Sequence, residues 1–103
     1  MNDPSNVKDI VEEELGSIGK IKILRALAEE KKLLTVYKLH KKTHLKREDI
    51  KRNLSDLIRI DWVIEQKISN SLYSINRENK YMQRLLLFFY EIITFNILFL
   101  LSE

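Results

Sequence analysis

Apolar positions recur every three to four residues through most of this chain and every second residue in one short stretch between 62 and 75. Val7, Ile10, Val11 and Leu15 share one face of a helix predicted over 4–15, with Asp3 able to accept from its first amides, Pro4 at its first position and Gly16 ending the run. A second helix is predicted after Ser17, with Ile21, Leu24, Leu27 and Ala28 as its inner stripe and the charged run EEKK closing it. Thr35 is placed to cap a short helix, VYKLHKK, that turns Val36 and Leu39 inward, and a tight turn is expected at THL. The next helix, 46–60, is anchored by Ile50, Leu54, Leu57 and Ile58, which fall on one face at about 100° per residue.

At residue 62 the period drops from 3.6 to 2. WVIEQKI and LYSI are rich in β-branched and aromatic residues, and the turn-forming triplet SNS separates them, so a hairpin is predicted. Asn76 is placed to cap a last, long helix from Arg77 to about Leu101. With 103 residues, two glycines and one proline, the chain has the length of one domain and little of the punctuation that loop-rich β architecture needs. A mainly α fold with a small β-hairpin is expected.

Charge gives this outline a direction. The net charge is only +3, but residues 1–16 hold five acids against Lys8, whereas residues 38–59 hold eight lysines and arginines against Glu48, Asp49 and Asp56. The stretch KLHKKTHLKREDIKRNL carries its cations on a segment whose Leu39, Leu45, Ile50 and Leu54 must pack. One side of it is expected to be core and the other to face a polyanion.

The chemistry available is narrow. Without cysteine, the chain has no disulfide, thiolate nucleophile, cluster ligand or thiol sensor, which suits a reducing compartment. The opening MNDPSNVKDIVEEEL is acidic and lacks the basic and apolar regions of a signal peptide, so a cytoplasmic location is expected. The abundance of Lys, Glu and Ile is compatible with a thermophile. His40 and His44 are four apart, but a turn is expected between them and no cysteine or carboxylate joins them, so no metal is expected. No nucleophile–base pair, glycine-rich phosphate loop or clefted carboxylate pair is legible. Neither an enzyme nor a cofactor is expected.

A short helix, a tight turn, a second helix and a two-stranded ribbon follow one another as in a winged helix-turn-helix. GSIGKIKILRALAEEKKLLTVYKLHKKTHLKREDIKRNLSDLIRIDWVIEQK, continued by SLYSIN, resembles the winged-helix transcriptional regulators of prokaryotes, of ArsR-like or MarR-like type, especially their small archaeal members. The resemblance covers roughly residues 16 to 76 and rests on spacing, so it specifies fold better than target. Asp61 departs from it, standing where such proteins often place Gly; Asp tolerates a left-handed turn better than most residues.

The resemblance implies that helix 46–60 enters the major groove of double-stranded DNA and that the hairpin, 62–75, touches the flanking backbone or minor groove. The residues agree with it. Opposite Leu54 the helix collects Glu48, Arg52, Ser55 and Arg59, with Lys51 on the flank and Lys46 and Arg47 in the first turn. Arginine binds a guanine edge through two parallel bonds whereas lysine mostly counters phosphate, which makes Arg52 the expected base reader beside Arg47, Lys51 and Ser55. Lys38, Lys41 and Lys42 are expected on the backbone from the preceding helix, and Lys67, Ser69 and Asn70 from the wing. Glu48 and Asp49 weigh against phosphate contact at the start of the helix; they serve its dipole, or Glu48 accepts from a cytosine amine. A winged helix that binds protein, or an architectural chromatin protein, is the competing reading.

The last helix carries two apolar seams. Tyr81, Leu85, Phe88, Ile92, Phe95 and Phe99 follow alternating steps of four and three, as in a coiled coil, and Met82, Leu86, Phe89, Ile93, Asn96 and Leu100 run alongside. Two seams imply two neighbours, the chain's own domain and a second copy, the latter expected to meet Tyr81, Leu85, Phe88, Ile92, Phe95, Asn96 and Phe99. Residues 77–103 are therefore expected to form a dimerisation helix appended to a DNA-binding domain over 1–76, with Asn96 fixing register. The rival is a membrane anchor. Residues 85–101 offer 17 positions with 13 Leu, Ile and Phe, broken by Glu91, Thr94 and Asn96. Each apolar residue favours insertion by about 0.3 to 0.6 kcal/mol and the central acid opposes it by roughly 2 to 3, so the matched seams, not the sum, favour the dimer.

Overall fold

The computed structural model describes residues 17–30 and 32–101, with side chains described through Glu91. The helix predicted over 4–15 lies outside the described residues. The described elements are α1 (Ile18–Glu29), α2 (Val36–Thr43), α3 (Arg47–Arg59), β1 (Val63–Lys67), β2 (Ser71–Ile75) and α4 (Lys80–Leu101).

Side-chain caps start the first two helices. The Ser17 hydroxyl accepts from the Lys20 amide at 3.3 Å and Thr35 from that of Lys38 at 3.2 Å. The buried face of α1 differs from the predicted stripe: Ile23, Leu24, Ala26 and Leu27 are buried, while Ile21 and Ala28 are half-buried. The reason is that α1 packs against α2, α3 and β2 together, so its covered arc is wider than one stripe and turned from it. Leu39 of α2, Ile50, Leu54 and Leu57 of α3, Trp62, Val63, Tyr73 and Ile75 complete one core, joined by Met82 and Leu86 from the start of α4.

Two features bring α1 close to α3. Lys20, buried on α1, pairs with Asp56 of α3 at 3.0 Å. A Cβ at Gly19 would stand 2.7 Å from the Asn53 amide nitrogen, so glycine permits this approach. Gly19→Ala should therefore lower stability by about 1 kcal/mol, the clash outweighing the gain in helix propensity. Thermal unfolding should show a fall of roughly 4–8 °C that shrinks in a Gly19→Ala/Asn53→Ala double variant.

The strands pair antiparallel from Val63↔Ile75 to Lys67↔Ser71, leaving Ile68, Ser69 and Asn70 as the tip. The turn is thus one residue earlier than the SNS triplet, and Trp62 precedes the strand as a core residue. Leu34 adds a bridge on the far side of β2, exchanging both backbone bonds with Tyr73 at 2.8 and 2.9 Å. The Tyr73 hydroxyl donates to Glu65, its cross-strand partner, at 3.2 Å. Burial pushes the phenol above its ordinary value; the Ser71 hydrogen bond opposes this and the Glu65 charge adds to it.

α4 begins three residues later than predicted. Asn79, not Asn76, is its cap, accepting from the amides of Tyr81 and Met82 at 2.9 and 3.1 Å. Asn76 makes a turn instead: its side-chain oxygen accepts from the Glu78 amide and its NH₂ donates to the Asp61 carbonyl at 2.9 Å, which also receives Asn79 at 3.2 Å. Among the described residues no helix is long and apolar enough to cross a membrane.

Candidate nucleic-acid interface

α2 and α3 are joined by a turn braced at every residue. Thr43 donates to the Leu39 carbonyl at 2.6 Å and accepts from the Leu45 amide at 3.3 Å, and the His44 amide donates to the His40 carbonyl at 2.9 Å. His44 is left-handed, with φ 61°. His40 spends Nδ1–H on the Leu45 carbonyl at 2.7 Å, so this imidazole is a structural strut of the turn. As expected, the helix ends between the two histidines.

α3 is the element on which the site depends. Its bounds are Arg47–Arg59, with Lys46 and Ile60 as the flanking cap residues of the predicted 46–60. Lys46 makes no side-chain cap, and Glu48 and Asp49 stand in the first turn, where they complement the helix dipole. Ile50, Leu54 and Leu57 are buried, and Lys46, Arg47, Glu48, Lys51, Arg52, Ser55 and Arg59 are exposed. Asp61 follows in the left-handed region at φ 68°, as its residue type allows.

The cations differ in how they are held. Arg52 donates through Nη2 to Asp49 at 2.9 Å, one turn back on the same helix. This takes one of five N–H groups and aims the guanidinium, leaving the rest of the fork for another acceptor. Arg59 lies 3.8 Å from Asp56. Lys42, expected on the backbone, is paired with Glu30 at 2.7 Å. The Lys42 hydrogen bond and charge hold the Glu30 carboxyl below its ordinary value, and the same bond raises the Lys42 ammonium. Lys38 and Lys41 are exposed on α2, Lys67 at the end of β1, and Ser69 and Asn70 at the tip.

Sequence reasoning missed Tyr37. The residue is 51% exposed, and its ring receives Lys41 Nζ at 5.5 Å and the Arg47 guanidinium at 5.4 Å from its centroid, cations from two helices. The spacing of Tyr37 and Lys41 was legible; the approach of Arg47 across the turn was not. Ile68, 79% exposed between Lys67 and Ser69, was also passed over, having been counted into the strand.

On α4 the seam that meets the chain's own domain is Met82 and Leu86, both buried, with Phe89 half-buried against them. Of the seam assigned to a second copy, Phe88 is exposed, Leu85 is half-buried against the core, and Tyr81 is exposed with its ring centroid 6.3 Å from that of Trp62. Ile92, Phe95, Asn96 and Phe99 lie beyond the described side chains. Leu87 and Tyr90 extend the uncovered face beside Phe88.

Helix, turn, helix and hairpin, packed on α1 and followed by a long helix, make this a winged helix-turn-helix fold. Among solved structures the chain is similar to HlyU from Vibrio cholerae N16961, at a TM-score of 0.72 and 16% identity over 89% of this chain and 97% of that one. It is also similar to the reduced form of the transcriptional regulator YodB from B. subtilis, at 0.67 and 14% over 91% and 90%. ST1889 protein from the thermoacidophilic archaeon Sulfolobus tokodaii aligns at 0.59 and 19% over 87% and 93%. No protein-family model and no curated protein matches the chain.

Proposed function

We propose that this protein is a sequence-specific, double-stranded DNA-binding transcriptional regulator that acts as a homodimer in the cytoplasm and performs no catalysis. The observation that carries this reading is the two-sidedness of α3: Ile50, Leu54 and Leu57 are fastened into the core while Arg52 and Ser55 stand exposed on the opposite arc, with Lys51 exposed on its flank and Arg47 exposed at the first turn. A helix held by one flank can enter a major groove about 12 Å wide with its other flank against the base edges. The fold shared with YodB, a transcriptional regulator, supports the same reading.

Each side chain then has a role. Arg52, aimed by Asp49, reads a guanine edge, with Lys51 and Ser55 beside it. Arg47 and Lys46 approach at the start of α3, and Lys38 and Lys41 neutralise phosphates from α2. Lys67, Ser69 and Asn70 place the wing on the flanking backbone or minor groove. Lys42 contributes only at the cost of its Glu30 partner. With about four to six phosphate contacts per subunit, affinity falls steeply with salt, each contact adding roughly 0.9 to the log–log slope. The exposed Leu87, Phe88 and Tyr90 of α4 pair with a second copy, giving two recognition helices for two half-sites.

Selection of bound duplexes from a random pool tests this directly, followed by titration of the selected and a scrambled duplex. Arg52→Ala should lower affinity for the selected duplex roughly 10- to 100-fold and erase the preference at one base pair, while changing scrambled-duplex binding little. Equal loss on both would reduce Arg52 to a phosphate contact. Equal wild-type affinity for both duplexes would indicate an architectural protein, and no retardation at low salt would favour a protein-binding winged helix.

A further inference from the structure

We propose that Tyr37 is a positioning residue of this interface, its ring holding the Arg47 guanidinium and the Lys41 ammonium in the array they present to the duplex. The inference rests on the DNA-binding reading above and names a contributor that the reading alone does not contain.

Five cations of the surface are restrained, in two different ways. Lys42 is held by Glu30, Arg52 by Asp49, and Arg59 lies near Asp56. A carboxylate orients a cation but also cancels much of its charge, so each such pair must be loosened or shared when a phosphate arrives. Among the described residues, Arg47 and Lys41 are within 4 Å of no carboxylate; they lie over an aromatic face, 5.4 and 5.5 Å from its centroid. A ring quadrupole attracts a cation without neutralising it. These two side chains are therefore ordered while keeping full charge, and the rotamer freedom they would surrender to DNA is partly surrendered already.

The geometry also ties the two helices of the motif. Tyr37 and Lys41 are one turn apart on α2, and Arg47 is the first residue of α3, across a turn whose backbone is fixed by Thr43, His40 and the left-handed His44. Lys46 supplies no side-chain cap, so the ring holds the α3 start from its exposed side. Because Tyr37 is half out of the core, its ring can be replaced without opening a cavity.

Titration of the selected duplex with Tyr37→Phe, Tyr37→Leu and the same substitutions in a Lys41→Ala/Arg47→Ala background tests this. Tyr37→Phe keeps the ring and should bind within about twofold of wild type, whereas Tyr37→Leu should lose roughly three- to fivefold. In the doubly substituted background Tyr37→Leu should lose nothing further, because there are no cations left to hold. On the free protein, the Arg47 side-chain protons should show an upfield ring-current shift that survives in Tyr37→Phe and vanishes in Tyr37→Leu. Loss of binding in Tyr37→Phe equal to that in Tyr37→Leu would overturn the proposal in favour of a hydroxyl contact to phosphate. An undiminished Tyr37→Leu effect without the two cations would overturn it in favour of a packing role. Wild-type protein that binds while Tyr37→Leu binds equally well removes this inference alone; wild-type protein that retards no duplex removes the DNA-binding reading with it.

Discussion

Phe88→Asp should turn the proposed dimer into a folded monomer and lower affinity for a two-half-site duplex by roughly 10²- to 10⁴-fold. The effect is large because a linked second contact acts at high effective concentration, and losing the link forfeits it without touching either recognition helix. The fold should be spared: Phe88 is 55% exposed, whereas the side of α4 that joins the core consists of Met82 at 1% and Leu86 at 7%. A carboxylate among the exposed Leu87, Phe88 and Tyr90 meets water in the monomer but would be desolvated against a second stalk. Light-scattering mass and duplex titration on one sample check both halves of the expectation. An unchanged mass with unchanged affinity would place the interface elsewhere.

Leu54→Ala should cost about 2–5 kcal/mol of stability, a large effect for a single truncation. Leu54 is 1% exposed and sits between Ile50 and Leu57, both fully covered, where α3 meets the body of the domain. Removing its side chain leaves a void that rigid neighbours from α1 and α2 fill only in part. For a chain of this size such a loss approaches a large fraction of the total stability, so denaturant unfolding should show a markedly lower midpoint. The fraction still folded at low temperature should retain its base preference, since no reading residue is altered. A shift below 1 kcal/mol would mean that α3 is fastened by something other than this stripe.

The contrast between those two variants marks what periodicity could and could not convey. Leu54 was legible because a buried stripe repeats along one helix and its spacing is local. Ser17 and Thr35 were legible for a similar reason: each acts within three residues of itself. The α1 stripe was drawn too narrow because its arc is set by three neighbours that no local pattern names. Asn76 and Asn79 are equivalent candidates within a four-residue stretch. Both side chains donate to the carbonyl of Asp61, fifteen and eighteen residues away, a contact that no local pattern names. The candidate interface divides likewise. Exposure of Lys51, Arg52 and Ser55 followed from the wheel and that of Arg47 from its place in the first turn, but which cation is spent on an acid and which rests on a ring depends on where Glu30 and Tyr37 arrive in space.

The Asp61 carbonyl has one more implication. The Asp61 amide closes α3 by donating to the Ile58 carbonyl at 3.0 Å, two asparagine amides from the approach to α4 converge on the carbonyl, and the ring centroids of Trp62 and Tyr81 sit 6.3 Å apart across the same corner. The reader and the stalk thus meet at a welded elbow instead of a swivel. In the paired molecule proposed above, such an elbow offers little slack for half-sites at the wrong separation. One inserted base pair swings the second site about 35° around the duplex axis, a rotation that the protein must meet by twisting the DNA or by letting go.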